Sequence, residues 1–130
     1  MTIDLAKLNS VLANFVSSSL EIQGAAVVTP DGLPLASNLS ANLDEERVAA
    51  MSAAILSLGE TIGTELSRGG IAKISVEGDN GYAILTSCGE DAVFLVLADK
   101  ASKQGVLMLQ VKQALAVVKS CVTAELHAVA

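Results

Sequence analysis

Leu5, Leu8, Leu12 and Phe15 recur at alternating steps of three and four, the spacing of one helix face. A first helix is therefore expected from about residue 3 to 18, with Thr2 able to cap it. The texture then changes to QGAAVVTPDGLPLASN, with apolar and β-branched residues on both sides of TPDG. Pro30 suits the second position of a type I turn, and Gly32 can take the left-handed conformation that closes a hairpin. Two strands follow from this, at about 22 to 29 and 33 to 38. The acids Asp44, Glu45 and Glu46 open a middle helix that runs to about Leu66, where SRGG stops it. IAKISVEG, GYAILTSC and DAVFLVLA read as three strands of an antiparallel meander. The last is apolar on both faces, so it belongs in the middle of a sheet covered on both sides. Leu107, Val111, Leu115, Val118 and Val122 mark a closing helix from about 103 to 125.

The order αββαβββα predicts a single α+β domain spanning residues 1–130, with its core at about 5–122. Its five-stranded antiparallel sheet carries the first and closing helices on one face and the middle helix on the other. No repeat, linker or low-complexity tract interrupts it.

The middle helix holds RVAAMSAAILSLGE, in which twelve residues between Arg47 and Glu60 carry no charge. At about 100° per residue, Val48, Met51, Ile55, Leu58, Ile62 and Leu66 form one stripe, expected to pack on the sheet. Ala49, Ser52, Leu56, Gly59 and Gly63 form an adjacent stripe of mostly small residues. Glycine inside a helix costs about 1 kcal/mol relative to alanine, so close packing against something should offset it. That something is either another helix of the same chain or the same helix of a second copy, antiparallel about a twofold axis. The topology favours the second copy, because the middle helix has its face of the sheet to itself.

Composition narrows the function. Of 130 residues 52% are hydrophobic, yet only Phe15, Tyr82 and Phe94 are aromatic, so the core is built of small aliphatics. The formal charge is −6 and the eight basic residues are scattered, which argues against nucleic acid as a partner. The longest apolar run, Ala92 to Ala98, is far shorter than the roughly 18–20 residues that span a bilayer, so no membrane insertion is expected. No signal peptide is legible. Cys88 and Cys121 lie outside any CxxC pattern and read as small buried hydrophobes in a reducing, cytoplasmic setting.

Converging reactive groups are absent from the pattern. His127 is the single histidine and lies near the chain end, and Glu90 and Asp91 belong to a tight strand connection. There is no GxGxxG, GxxxxGK[ST] or GxSxG. No catalytic residue, metal site or cofactor is expected.

GAAVVTPDGLPLASN, ERVAAMSAAILSLGE and VEGDNGYAILTSCGEDAVFLVLAD resemble the signature segments of the Roadblock family, the dynein light chain type of domain. The resemblance covers about residues 5 to 122. It implies dimers, with itself or another Roadblock chain, through the middle helices and the sheet edges. Ile71, Lys73 and Ser75 of the edge strand would then join Ala49, Ser52, Leu56, Gly59 and Gly63 in the interface. It also implies a Ras-like small GTPase as partner, since one branch of the family, the gliding-motility regulators, acts as a GTPase-activating partner. The docking surface implied is Glu46, Arg47, Ala50, Ala53, Ser57, Glu60 and Thr64, with Arg47 held by a local ion pair and given no catalytic role. A motor or polarity adaptor without a GTPase, and a small-molecule sensor, stand as rivals; the small aliphatic core offers a ligand few orienting groups.

Overall fold

Every expected element forms in the computed structural model, which describes residues 3–122. The elements are α1 (Leu5–Ser17), β1 (Ile22–Val28), β2 (Pro34–Asn38), α2 (Glu45–Glu65), β3 (Lys73–Gly78), β4 (Gly81–Ser87), β5 (Val93–Asp99) and α3 (Gln104–Val122). The sheet is antiparallel throughout, in the order β2-β1-β5-β4-β3. β5 thus lies in the middle, as its two apolar faces require. Phe94 and Val96 enter the core under α1 and α3, while Val93 and Leu95 enter the smaller core under α2.

Local chemistry sets the boundaries. Asp4 caps α1, its carboxylate accepting from the Lys7 amide at 3.0 Å; the cap expected at Thr2 lies outside the described residues. The β1–β2 turn closes as predicted: the Gly32 amide donates to the Thr29 carbonyl at 3.0 Å, and Gly32 has φ +95°. The Thr29 amide donates to the Leu33 carbonyl at 2.8 Å, and the strand register slips between Val27 and Val28. α2 starts at an Asp44 cap with Glu45 and Glu46 in its first turn, where the helix dipole favours negative charge.

α2 ends without using glycine in the left-handed position. Ser67 takes φ 56°, so the Arg68 amide reaches the Gly63 carbonyl at 2.7 Å and the Ser67 amide the Thr64 carbonyl at 3.2 Å. These two bonds make a Schellman cap. The capped loop then turns back along α2 and delivers Ile71 and Ile74 beside it.

The larger core lies between the sheet and α1/α3. Leu8, Leu12, Leu107, Val111 and Val118 are buried there, and Phe15 meets Phe94 with ring centroids 5.8 Å apart. Cys88 and Cys121 are buried and unpaired, in agreement with their reading as hydrophobes. Burial pushes the Cys88 thiol up to about 12, with Lys119 opposing the shift.

Candidate protein-interaction site

The apolar side of α2 is wider than one sheet can cover. Its stripes of large and small residues adjoin, and in the structure the small one faces inward. Ala49, Ser52, Leu56 and Gly63 are buried, and Ser52 returns its hydroxyl to the Val48 carbonyl at 2.8 Å. Of the large stripe only Val48 is buried and Ile55 half-buried. Met51, Leu58, Ile62 and Leu66 are 57%, 60%, 47% and 62% exposed. Two expectations are corrected at once. The stripe expected on the sheet faces largely outward, and the stripe expected against a second copy is covered by the chain itself.

The physical reason is close approach. A Cβ on Gly59 would lie 2.8 Å from the Ile74 Cδ1, and one on Gly63 would collide with the backbone carbonyl of Gly69 and lie 3.0 Å from the Ile71 Cδ1. The absence of side chains lets β3 and the preceding loop press against the helix. The covering partner is thus neither the first helix nor the closing helix: Ala49 and Leu56 lie on the sheet with Ala26, Val28, Leu85, Val93 and Leu95, and Gly59 and Gly63 meet the segment that follows α2 itself.

The outward stripe borders an open groove. Between α2 and the sheet lies a cavity of ≈ 320 Å³ lined by Leu43, Met51, Ile55, Val76, Ala83 and Leu97, among others. Ser52 is the single polar residue in that lining. Beside it, β3 pairs only with β4, and Lys73, Ser75 and Val76 are exposed along it. Ile74 and Val76 lie opposite Leu85 and Ala83 on the α2 side, whereas Lys73 and Ser75 alternate to the side of α3. An apolar stripe, an apolar groove and an unpaired strand edge therefore adjoin, which is chemistry for covering by another chain.

Of the docking set, Glu46, Arg47, Ala50, Ser57, Glu60 and Thr64 are exposed and Ala53 is half-buried. The β1–β2 turn approaches this strip, the Cβ position of Gly32 lying 3.6 Å from the Ala50 Cα and 3.7 Å from the Ala53 Cβ. The local ion pair expected for Arg47 does not form among the described residues. Two of the three acids beside it bond elsewhere: Asp44 accepts from the Glu46 amide at 3.0 Å, and Glu45 accepts from the Ser37 hydroxyl at 2.5 Å. His127 lies outside the described residues. Among the described residues no group of three or more His, Cys, Asp or Glu is placed to hold a metal.

These surfaces suit protein contacts. A model of the Roadblock/LC7 domain matches residues 8–98. The chain belongs to the Roadblock/LC7 family. An uncharacterized protein of Methanocaldococcus jannaschii is 32% identical over 93 residues, which is 72% of this chain and 78% of that protein. Myxococcus xanthus MglB has the same fold, with a TM-score of 0.87 at 17% identity, over 95% of this Roadblock/LC7 chain and 93% of that one. An MglB with tetrameric arrangement gives 0.79 at 15% identity, over 95% of each chain.

The large-residue stripe was visible in the sequence, but its direction was not. Hydrophobicity favoured the larger residues for the core; the deciding signal was the Gly59–Gly63 spacing followed shortly by Ile71 and Ile74, a helix smooth enough for its own chain to fold back upon.

Proposed function

We propose that this Roadblock/LC7 chain is a non-catalytic dimeric regulator or adaptor that binds a Ras-like small GTPase in the cytoplasm. Family membership with MglB-like neighbours supports a small-GTPase regulator or adaptor role in general. The observation that carries the finer reading is the exposed stripe Met51, Leu58, Ile62 and Leu66 beside an open apolar groove. A twin α2, antiparallel to the first, fits that stripe, and the β3 edge with Ile71, Lys73 and Ser75 joins its twin to continue the sheet. Covering each half-exposed large side chain stabilises the dimer by about 1 kcal/mol.

Dimerisation doubles the strip formed by Glu46, Arg47, Ala50, Ser57, Glu60 and Thr64, and the GTPase docks there. Arg47, exposed on α2, is the cation in that strip, and arginine is among the residues in which binding energy concentrates. Its role is docking; the reading assigns no step of hydrolysis to it, and stimulation of the GTPase arises from reshaping that partner.

The test is binding to a Ras-like GTPase from the same genome, loaded with GDP or with a non-hydrolysable GTP analogue. The reading predicts a complex that depends on the nucleotide and weakens by roughly ten-fold with Arg47→Ala. Absence of nucleotide-dependent binding to every such GTPase would overturn it and leave the adaptor without a GTPase.

A further inference from the structure

The edge strand β3 carries a charge order that complements itself when reversed. It runs Lys73, Ile74, Ser75, Val76, Glu77, with a cation near one end and an anion near the other. Lys73, Ser75 and Glu77 are exposed and share the α3 side with Tyr82 and Ile84; Ile74 and Val76 share the α2 side. Within one strand Lys73 and Glu77 lie about 13 Å apart, too far to pair with each other. Lys73 instead donates to the Met108 sulfur at 3.1 Å, a weak acceptor for an ammonium.

The backbone decides which residues offer hydrogen bonds to the open side. The Ser87 amide donates to the Ala72 carbonyl at 3.2 Å, so Ala72 turns its carbonyl to β4, and by alternation Ile74, Val76 and Gly78 turn theirs the same way. The amides and carbonyls of Lys73, Ser75 and Glu77 therefore point away from β4. A second copy, antiparallel about a twofold axis normal to the sheet, keeps α2 on the same face in both copies. Lys73, Ser75 and Glu77 then exchange the hydrogen bonds across the seam, and few registers remain. Lys73 against Lys73, or Glu77 against Glu77, sets like charges face to face, which is destabilising. Centring on Ile74 or on Val76 sets Ser75 against one charge and carries the other past the end of the strand. Ser75 against Ser75 sets Lys73 opposite Glu77 twice on the α3 side and Ile74 opposite Val76 twice on the α2 side.

We infer, resting on the dimer proposed above, that Lys73 and Glu77 are a self-recognition pair: β3 meets its twin in the register centred on Ser75, with each Lys73 opposite Glu77 of the second copy. Ile74 against Val76 carries the apolar groove beside α2 across the seam. A Roadblock chain with another charge order on its edge strand is rejected, because like charges would then meet.

Sedimentation equilibrium on the full chain and on charge variants is the test, with circular dichroism to verify each fold. Lys73→Glu and Glu77→Lys should each weaken the dimer roughly ten-fold, and the double exchange Lys73→Glu/Glu77→Lys should restore it. Mixed in equal amounts, the two single variants should pair with each other in preference to themselves, since the mixed pair again sets cation against anion at both positions. Under oxidised glutathione, Ser75→Cys should link two chains, because directly opposed residues stand about 5.5 Å apart. Lys73→Cys, about 13 Å from its own twin, should not link, and the native Cys88 and Cys121 are buried. A dimer that Lys73→Glu weakens and Glu77→Lys strengthens would report only long-range repulsion between acidic chains and overturn the pairing. A dimer indifferent to both variants, or one linked by Lys73→Cys and not by Ser75→Cys, also overturns it while leaving the dimer itself intact. A monomeric parent chain overturns the dimer and the pairing together.

Discussion

α2 and α3 are long helices on opposite faces of one sheet, each apolar on more than one side, yet they use those sides in opposite ways. α3 buries Leu107, Val111 and Val118 and lets lesser apolar surface show, as hydrophobicity alone would arrange it. α2 buries Ala49, Ser52 and Gly63 with only Val48 and Leu56 of its large residues, and leaves Met51, Leu58, Ile62 and Leu66 outside. The contrast separates two determinants that usually coincide. Apolar area states how much a side gains by being covered; side-chain size states how near another backbone can come. On α2 the small residues let the sheet come close at Ala49 and the loop and Ile74 come close at Gly59 and Gly63, and four of the larger apolar residues remain available to another molecule.

The comparison is tested most severely at Gly63. A side chain there meets the Gly69 carbonyl, a backbone atom that cannot swing aside, so Gly63→Leu should destabilise the fold by about 3 kcal/mol in urea unfolding. A cost near zero would mean that the small stripe is not the packed side.

On the side of α3, sealing is tested through Cys88. Below the ordinary thiol value of 9.0 both folded and unfolded chains hold the proton, and Cys88 adds no pH dependence. Between 9.0 and about 12 the unfolded chain loses the proton while the fold retains it, so stability falls as pH rises. Urea unfolding of the chain and of Cys88→Ala across that window should show a steeper alkaline loss for the former. Equal slopes, or fast thiol labelling of Cys88 under native conditions, would show that the core is open to water.

Glycine to alanine exchanges give the smallest effects and a change of sign. Gly59→Ala meets only the movable end of Ile74, so helix propensity and crowding should nearly cancel. Gly105→Ala, in the first turn of α3 with nothing within 4 Å, should stabilise by about 0.5 kcal/mol. Thermal unfolding of the two variants orders them; stabilisation by Gly59→Ala as large as by Gly105→Ala would remove Gly59 from the tight contact.

Most of the fold was legible because its signals are local. The apolar steps of Leu5, Leu8 and Leu12, the TPDG turn and the doubly apolar run of β5 each name an element or its place without reference to the rest. The direction of α2 was not local. It involves sheet residues such as Ala26 and Leu95 at one end and, at Gly59 and Gly63, Ile71 and Ile74, which reach the helix only after the Schellman cap reverses the chain. The same holds for Arg47, of whose neighbouring acids Asp44 caps the helix and Glu45 accepts from Ser37. Spacing along the helix shows that these carboxylates are near, and only the fold shows that they are occupied. The small residues were correctly read as a place of close approach, with the wrong partner assigned.

The central claim is that the outward stripe of α2 is the seam with a second copy. Light scattering on the chain and on the double variant Leu58→Glu/Ile62→Glu tests it most directly, with circular dichroism to verify folding. The account predicts a dimer of the 13.2 kDa chain and a folded monomer for the double variant. A monomeric parent chain, or a double variant that remains a stable dimer, would contradict it.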